Sequence, residues 1–301
     1  MINELKHICE INENFDLKNY NTLKLDSKCK CIVFPSNEDE LIQVLKLLKN
    51  EKHFVMGNAS NIVLPRFYDG YIIKLSKFKE FNNENDIVYA QSGVMINKLA
   101  TTISNMGYSG LDPFTGIPGT IGGCIYGNAG CFGSSMSEVL IDARVYDGKD
   151  IITLKNEDFK FNYRYSMLKE NKNFVILSSR FKVEKGNVDV IKQLILERTN
   201  KRVSTQDLKN PSNGSMFRNP ENASAGKLID DLGLKGYSVG GAMVSNIHAN
   251  FIVNKSNATQ EDIIELVKYI KSKVKEKYNI DLVLEQEIIK WFIHFLFCKK
   301  N

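Results

Sequence analysis

The chain has 301 residues, 43% of them hydrophobic and 25% charged, with 40 Lys and Arg against 35 Asp and Glu for a net charge of +5. That length suits about two domains and a sizeable buried core. The mild basic balance fits small anionic ligands such as nucleotides but is too mild to argue nucleic-acid binding; with no basic amphipathic helix and no interleaved basic and aromatic run, no nucleic acid is expected as a partner.

Residues 1–15 carry charges throughout and do not read as a signal peptide. Residues 28–34 read as a strand, with Cys29 and Cys31 as core thiols beside Ile32 and Val33. Pro35-Ser36 opens a helix in which Ser36 is the cap, Asp39 closes a capping box, and Leu41, Val44, Leu45 and Leu48 repeat at helical spacing. Strands follow at 53–56, 62–64 and 71–75, with the tight polar loop Gly57-Asn58-Ala59-Ser60-Asn61 between the first two. A second unit holds a strand at 87–91 and a helix at 96–106 ended by Gly107. After the glycine-rich stretch 107–133 come a hairpin of 139–147 and 150–154, a strand at 174–184, and a charged amphipathic helix at 188–202. The third unit has a helix at 224–232, a strand at 251–254, a helix at 259–278 with Thr259 and Asp262 as its capping box, and a final strand at 281–288. The expected division is 1–77, 78–203 and 204–301. The longest apolar run, 288–297, is interrupted by Lys290 and His294 and is too short to cross a membrane, so it reads as a buried or partner-facing segment. The six cysteines form no CxxC pair and have no histidine at metal-ligand spacing, so no metal is expected and reduced thiols of a cytoplasmic protein are.

The strongest chemical signal is Gly116-Ile117-Pro118-Gly119-Thr120-Ile121-Gly122-Gly123 followed by Gly127-Asn128-Ala129-Gly130. Glycines allow close approach of the backbone, and successive N–H groups make a nest for an anion such as a diphosphate. Neither GxGxxG after a strand nor GxxxxGK[ST] is present, which argues against Rossmann and P-loop folds. The loop 57–61 supplies small residues with hydroxyl and amide groups, which also suit phosphate, although alone it reads better as a plain turn.

Together these two loops resemble the FAD-binding region of the UDP-N-acetylenolpyruvoylglucosamine reductase family. The resemblance continues in order through Phe161-Asn162-Tyr163-Arg164-Tyr165-Ser166, Asn213-Gly214-Ser215-Met216-Phe217-Arg218-Asn219-Pro220, Ala225-Gly226-Lys227-Leu228-Ile229-Asp230, Val244-Ser245-Asn246-Ile247-His248-Ala249-Asn250 and Leu284-Glu285-Gln286-Glu287-Ile288. It implies an α+β fold, with a two-part FAD-binding region of the PCMH or vanillyl-alcohol-oxidase type and a C-terminal α+β substrate domain. It also implies FAD as cofactor, NADPH as hydride donor, and UDP-N-acetylglucosamine enolpyruvate as the substrate reduced to UDP-N-acetylmuramate, by a monomer.

Residue by residue, the resemblance implies that Gly57 to Asn61, Gly116 to Thr120, Gly122, Gly123, Gly127, Asn128 and Ala129 hold the cofactor. Arg164 matches the arginine that grips the substrate carboxylate, Ser215 the proton donor, and Glu287 the catalytic glutamate. Tyr163, Lys201 and Asn219 are further substrate contacts; Lys227 and Arg202 are softer candidates, and His248 reads as structural. Alternation along a strand puts Glu285 on the same face as Glu287, so the motif register, not the periodicity, selects Glu287. Ala59 stands where the family often has glycine, and the tail after Glu287 departs from the family pattern. A different flavin oxidoreductase and a catalytically dead binder are the alternatives.

Overall fold

The computed structural model describes residues 1–171 and 173–290. The apolar tail from Trp291 to Asn301, and with it Cys298 and most of the run 288–297, lies outside them.

The first sheet runs in the order Glu10–Asp16, Lys28–Phe34, Phe67–Lys74, His53–Met56. Only the first pairing is antiparallel; Phe67–Lys74 runs parallel to both of its neighbours. The crossover helix Glu38–Leu47 buries Leu41, Val44 and Leu45. Its cap sits one residue later than the expected Ser36: the Asn37 side chain accepts from the Glu40 N–H at 2.9 Å, and the Glu40 carboxylate reaches back to the Ser36 N–H at 2.7 Å. Asn and Ser cap equally well, so the sequence pattern leaves this register open. The N-terminal helix Ile2–Ile8 and the strand Glu10–Asp16 lack a sequence signal because both are short and solvent-facing, with Leu5 alone fully buried on the helix.

The second sheet is antiparallel, in the order Ile151–Lys155, Leu140–Tyr146, Val175–Lys182, Ile87–Gln91, Phe81–Glu84. Ile96, Leu99, Ala100 and Ile103 of the helix Ile96–Asn105 pack into the core beneath it. The helix Val188–Thr205 runs past the expected end and is not cleanly amphipathic: Ile191 is its one buried residue, while Val190, Leu196 and Val203 are exposed.

The third sheet pairs Ser212–Ser215, Phe251–Asn254, Ala242–Val244 and Ser238–Val239, all antiparallel. The helix Gln260–Tyr278 covers it and is closed at its start by the expected box, in which Thr259 and Asp262 satisfy each other's backbone N–H. This core also takes in Leu23, Leu25 and Val63 from the first part of the chain.

The expected last strand, 281–288, is reduced to Glu287–Ile288, which runs parallel to Ile62–Val63. The physical reason is a change of partner. Upstream, the Arg218 N–H donates to Val283 O and the Glu285 N–H to Met216 O; downstream, the Glu287 N–H donates to Asn61 O and the Ile289 N–H to Val63 O. The segment thus leaves the third unit and enters the first, and no single ladder spans it.

Buried Gln260 closes this junction, donating through Nε2 to Val63 O at 2.8 Å and to Ile289 O at 2.9 Å. Gln260→Ala removes the donor from two inward-facing carbonyls and is expected to destabilise the protein by about 1–3 kcal/mol. Urea unfolding of the variant beside the parent protein measures the loss; equal midpoints would show that the junction does not depend on this side chain.

Candidate active site

A cleft of about 2190 Å³ opens where the loop after His53–Met56, the glycine-rich stretch and the 212–215 and 285–289 segments converge. Two loops form one wall. Asn58 donates through Nδ2 to Pro118 O at 2.7 Å, tying them together. A Cβ on Gly57 would stand 2.6 Å from Thr120 Oγ1, so the close approach requires glycine there. Thr120 caps the short helix Ile121–Tyr126, its hydroxyl accepting from the Gly123 N–H at 3.4 Å. Gly119 and Gly122 are also close, though less so: a Cβ would meet Cys124 Sγ at 2.9 Å and Ser92 Cβ at 3.1 Å. Ala59 holds the left-handed conformation, φ +49°, that glycine would adopt freely.

All the cofactor-loop candidates line this cleft except Asn128. Asn128 is buried and turned away; its Nδ2 donates to Asn162 O and its Oδ1 accepts from the Ser137 N–H, both at 3.0 Å. It braces the turn that carries Arg164. Two cleft residues had no motif to announce them. Ser92 lies in the wall with a buried hydroxyl that has no partner among the described residues. Lys74 ends the strand Phe67–Lys74, and burial pulls its ammonium down to about 8.

Arg164, Ser215 and Glu287 all border the same cleft, from three distant parts of the chain. Arg164 sits at φ +55° in a turn closed by the Asn162 and Tyr165 backbone pair. Its Nε donates to Glu285 Oε1 at 2.7 Å and its Nη2 to Gly130 O at 2.8 Å. Glu285 is therefore the partner of Arg164, and Glu287 has its own neighbours: the Tyr126 hydroxyl donates to Oε2 at 3.2 Å, and Lys169 Nζ lies 3.2 Å from Oε1. Burial, with the Glu287 carboxylate beside it, pushes the Tyr126 phenol up, which keeps it a proton-bearing donor. Ser215 ends its strand after Gly214, φ +75°, and Gln286 Nε2 donates to the carbonyls of both at 3.2 Å.

Tyr163, Lys201 and Asn219 stand outside the cleft lining. Tyr163 is 49% exposed and its hydroxyl accepts from the Asn219 N–H at 3.4 Å. The Asn219 side chain accepts from the Ala225 N–H at 3.0 Å, bracing the start of the helix Ala225–Asp230. Lys201 is exposed, whereas its neighbour Arg202 faces inward and lies against Gly116. Helical rotation between adjacent residues separates the two, and the motif alone does not fix that phase. Lys227 pairs with Asp231 on the surface. His248 accepts from the Asn250 N–H through Nδ1 at 3.2 Å and packs on Phe251, and desolvation lowers its pKa. Burial raises Cys29 and Cys124 to about 12 and Cys31 to about 11, which leaves them as inert thiols.

The chain matches the FAD binding domain family over residues 29–153 and the family of the UDP-N-acetylenolpyruvoylglucosamine reductase C-terminal domain over residues 206–289. It is 38% identical over 293 residues to a UDP-N-acetylenolpyruvoylglucosamine reductase of Petrotoga mobilis, covering 94% of this chain and 95% of that protein. It is 36% identical over 296 residues to the one of Bacillus subtilis, covering 96% and 98%. The solved structure of the Thermus caldophilus enzyme superposes with a TM-score of 0.80 at 29% identity, covering 93% of this chain and 98% of that one.

The contact between the two loops is testable through stability. Gly57→Ala forces Thr120 Oγ1 from its capping position and is expected to cost about 1 kcal/mol, read as a lower unfolding midpoint. In a Thr120→Ala background the same change should cost much less; equal costs in both backgrounds would mean that the two residues do not meet.

Proposed function

The chain belongs to the UDP-N-acetylenolpyruvoylglucosamine reductase family, and on that basis we propose how its cleft carries out the family's reaction. The protein is an FAD-dependent oxidoreductase that reduces UDP-N-acetylglucosamine enolpyruvate to UDP-N-acetylmuramate for peptidoglycan synthesis, with NADPH as the reductant. The residues present fit FAD. The paired loops form a cradle whose close approach leaves no room for a Cβ at Gly57, Gly119 or Gly122, and Ser92 keeps in its wall a buried hydroxyl with no partner among the described residues. The loops Gly57 to Asn61 and Gly116 to Gly123 would hold FAD, which would supply the hydride chemistry that links NADPH to the vinyl carbon of the enol ether.

The protein's own task is to bind the substrate carboxylate, hold the charge that spreads onto it, and protonate the adjacent carbon. The observation that carries this reading is the convergence of Arg164, Ser215 and Glu287 on one cleft beside the cofactor cradle. Glu285 and Gly130 O orient the guanidinium of Arg164. Its remaining N–H donors can grip a carboxylate and stabilise the enolate-like intermediate. Ser215 supplies the proton: a serine is a weak acid, but the carbon left by hydride addition is strongly basic. Glu287, fixed by Tyr126 and Lys169, hydrogen-bonds the enolate in its protonated form, its carboxyl O–H donating. Arg202 in place of Lys201 is the helix residue poised for a phosphate. Substrate contacts from Tyr163 and Asn219 would require them to turn from their present partners.

A monomer acting in the cytoplasm completes the reading. Nucleotide substrates and free, inward-facing thiols support a reducing compartment. Among the described residues no helix is long and apolar enough to cross a membrane.

Ser215→Ala is expected to leave flavin bleaching by NADPH near the parent rate and to slow anaerobic reoxidation by the enolpyruvyl substrate by about 10²–10⁴-fold. Stopped-flow absorbance separates the two half-reactions, and undiminished turnover would remove Ser215 from the proton transfer. Arg164→Lys loses the planar fork and should lower kcat/KM by roughly tenfold or more, again with flavin reduction unaffected; an unchanged kcat/KM would place the substrate carboxylate elsewhere.

A further inference from the structure

Lys74 is a half-buried cation in the cleft lining that the motifs and the proposed chemistry leave without a task. It ends the strand Phe67–Lys74, in parallel register with Met56, so its side chain emerges beside the residue that opens the 57–61 loop. Its ammonium donates to Gly57 O and stands 5.9 Å from the centroid of the Tyr20 ring. No carboxylate pairs with it among the described residues, and burial alone accounts for its lowered pKa. An ammonium partly shielded from water without a counter-charge is unfavourable, and an anionic partner would offset that cost. Two neighbouring cations are already paired, Arg164 with Glu285 and Lys169 with Glu287.

The loop that Lys74 touches offers backbone and amide dipoles to an anion but no formal positive charge of its own. We propose that Lys74 supplies the counter-charge to the diphosphate of FAD, held in place before the cofactor arrives by the Gly57 carbonyl. This rests on the FAD-dependent function proposed above. The substrate also carries a diphosphate. Position favours the cofactor's, because Lys74 and the loop both belong to the first sheet, whereas Arg164 and Ser215 approach from other parts of the chain. A hydrogen-bonding role and a charge role separate on substitution. Glutamine can still donate to Gly57 O but carries no charge; arginine keeps the charge; methionine keeps neither.

The experiment uses purified holoprotein of the parent, Lys74→Met, Lys74→Gln and Lys74→Arg, diluted in steps while released flavin is followed by its fluorescence. FAD dissociation constants are expected to rise tenfold or more for Lys74→Met and Lys74→Gln and to stay within about threefold for Lys74→Arg. UDP affinity, measured by calorimetry on the same holoproteins, should not change. Thermal midpoints against added FAD guard against misfolding: the Met variant should unfold no earlier than the parent when FAD is scarce, yet gain less as FAD is added. Parent-like FAD binding by Lys74→Gln would reduce Lys74 to a brace for the loop. Weaker UDP binding with intact FAD binding would transfer the ammonium to the substrate's diphosphate. A parent protein that takes up no FAD would instead overturn the functional reading on which this one stands.

Discussion

The arrangement of this site depends on the backbone of residues 283–289 serving two partners in succession. The first half of the segment hydrogen-bonds to Met216 and Arg218, the second half to Asn61 and Val63. Every acceptor and donor in the crossing must be satisfied, because a buried backbone group left unpaired is costly. That requirement fixes the distance between the 57–61 loop and the strand that presents Ser215. It also sets the direction of the side chains. Alternation along the extended chain turns Glu285 and Glu287 toward the cleft and Gln286 away from it, where Gln286 is 2% exposed and ties down the carbonyls of Gly214 and Ser215. One short segment therefore orients Arg164, seats Glu287 and braces Ser215.

The same segment shapes the electrostatics. The chain carries only a small positive excess, yet Lys74, Arg164 and Arg202 are gathered in one cleft. Glu285 offsets Arg164, and Glu287 offsets Lys169. The pairing with Glu285 is partly shielded, the carboxylate side chain being 17% exposed, so it is screened less than a surface pair. A ligand carboxylate arriving at Arg164 joins an ion pair already in place and does not meet a bare cation. Glu285 and Gly130 O fix the orientation of the guanidinium in advance, which is the preorganisation that charge stabilisation requires.

Much of the fold was legible. The strands Lys28–Phe34, His53–Met56, Ile87–Gln91 and Phe251–Asn254 fall where β-rich runs bounded by turn residues predict them, and Thr259 with Asp262 marks a helix start unambiguously. The strand Glu10–Asp16 is hidden because an edge strand with a wet face carries charged and amide residues in place of an apolar stripe. The last strand is over-read because alternation persists in an extended segment whether or not one ladder pairs it. In the site, the glycine spacing marks the close approach of the two loops, since only glycine permits it. It could not reveal Lys169, Tyr126 or Ser92, whose proximity to the cleft is set by packing between distant segments. Asn128 belongs to the glycine-rich stretch yet serves as a brace, and Arg202 and Lys201 exchange places through helical phase.

Three residues that line this cleft hold the left-handed conformation although they are not glycines: Lys24 at φ +53°, Ala59 at +49° and Arg164 at +55°. Each such conformation costs on the order of 1–3 kcal/mol and persists only where neighbouring contacts over-determine it. For Arg164 those contacts are Glu285, Gly130 O and the bracing of its turn by Asn128. For Ala59 they include the Thr22 hydroxyl on its carbonyl at 3.4 Å. Glycine at these positions would relieve the strain but restore backbone freedom to the two loops that must stay fixed. The strained alanine and arginine thus hold the loops stiff, and stiffness here has chemical value: hydride delivery and proton delivery to neighbouring carbons demand that cradle, guanidinium and serine keep one mutual geometry.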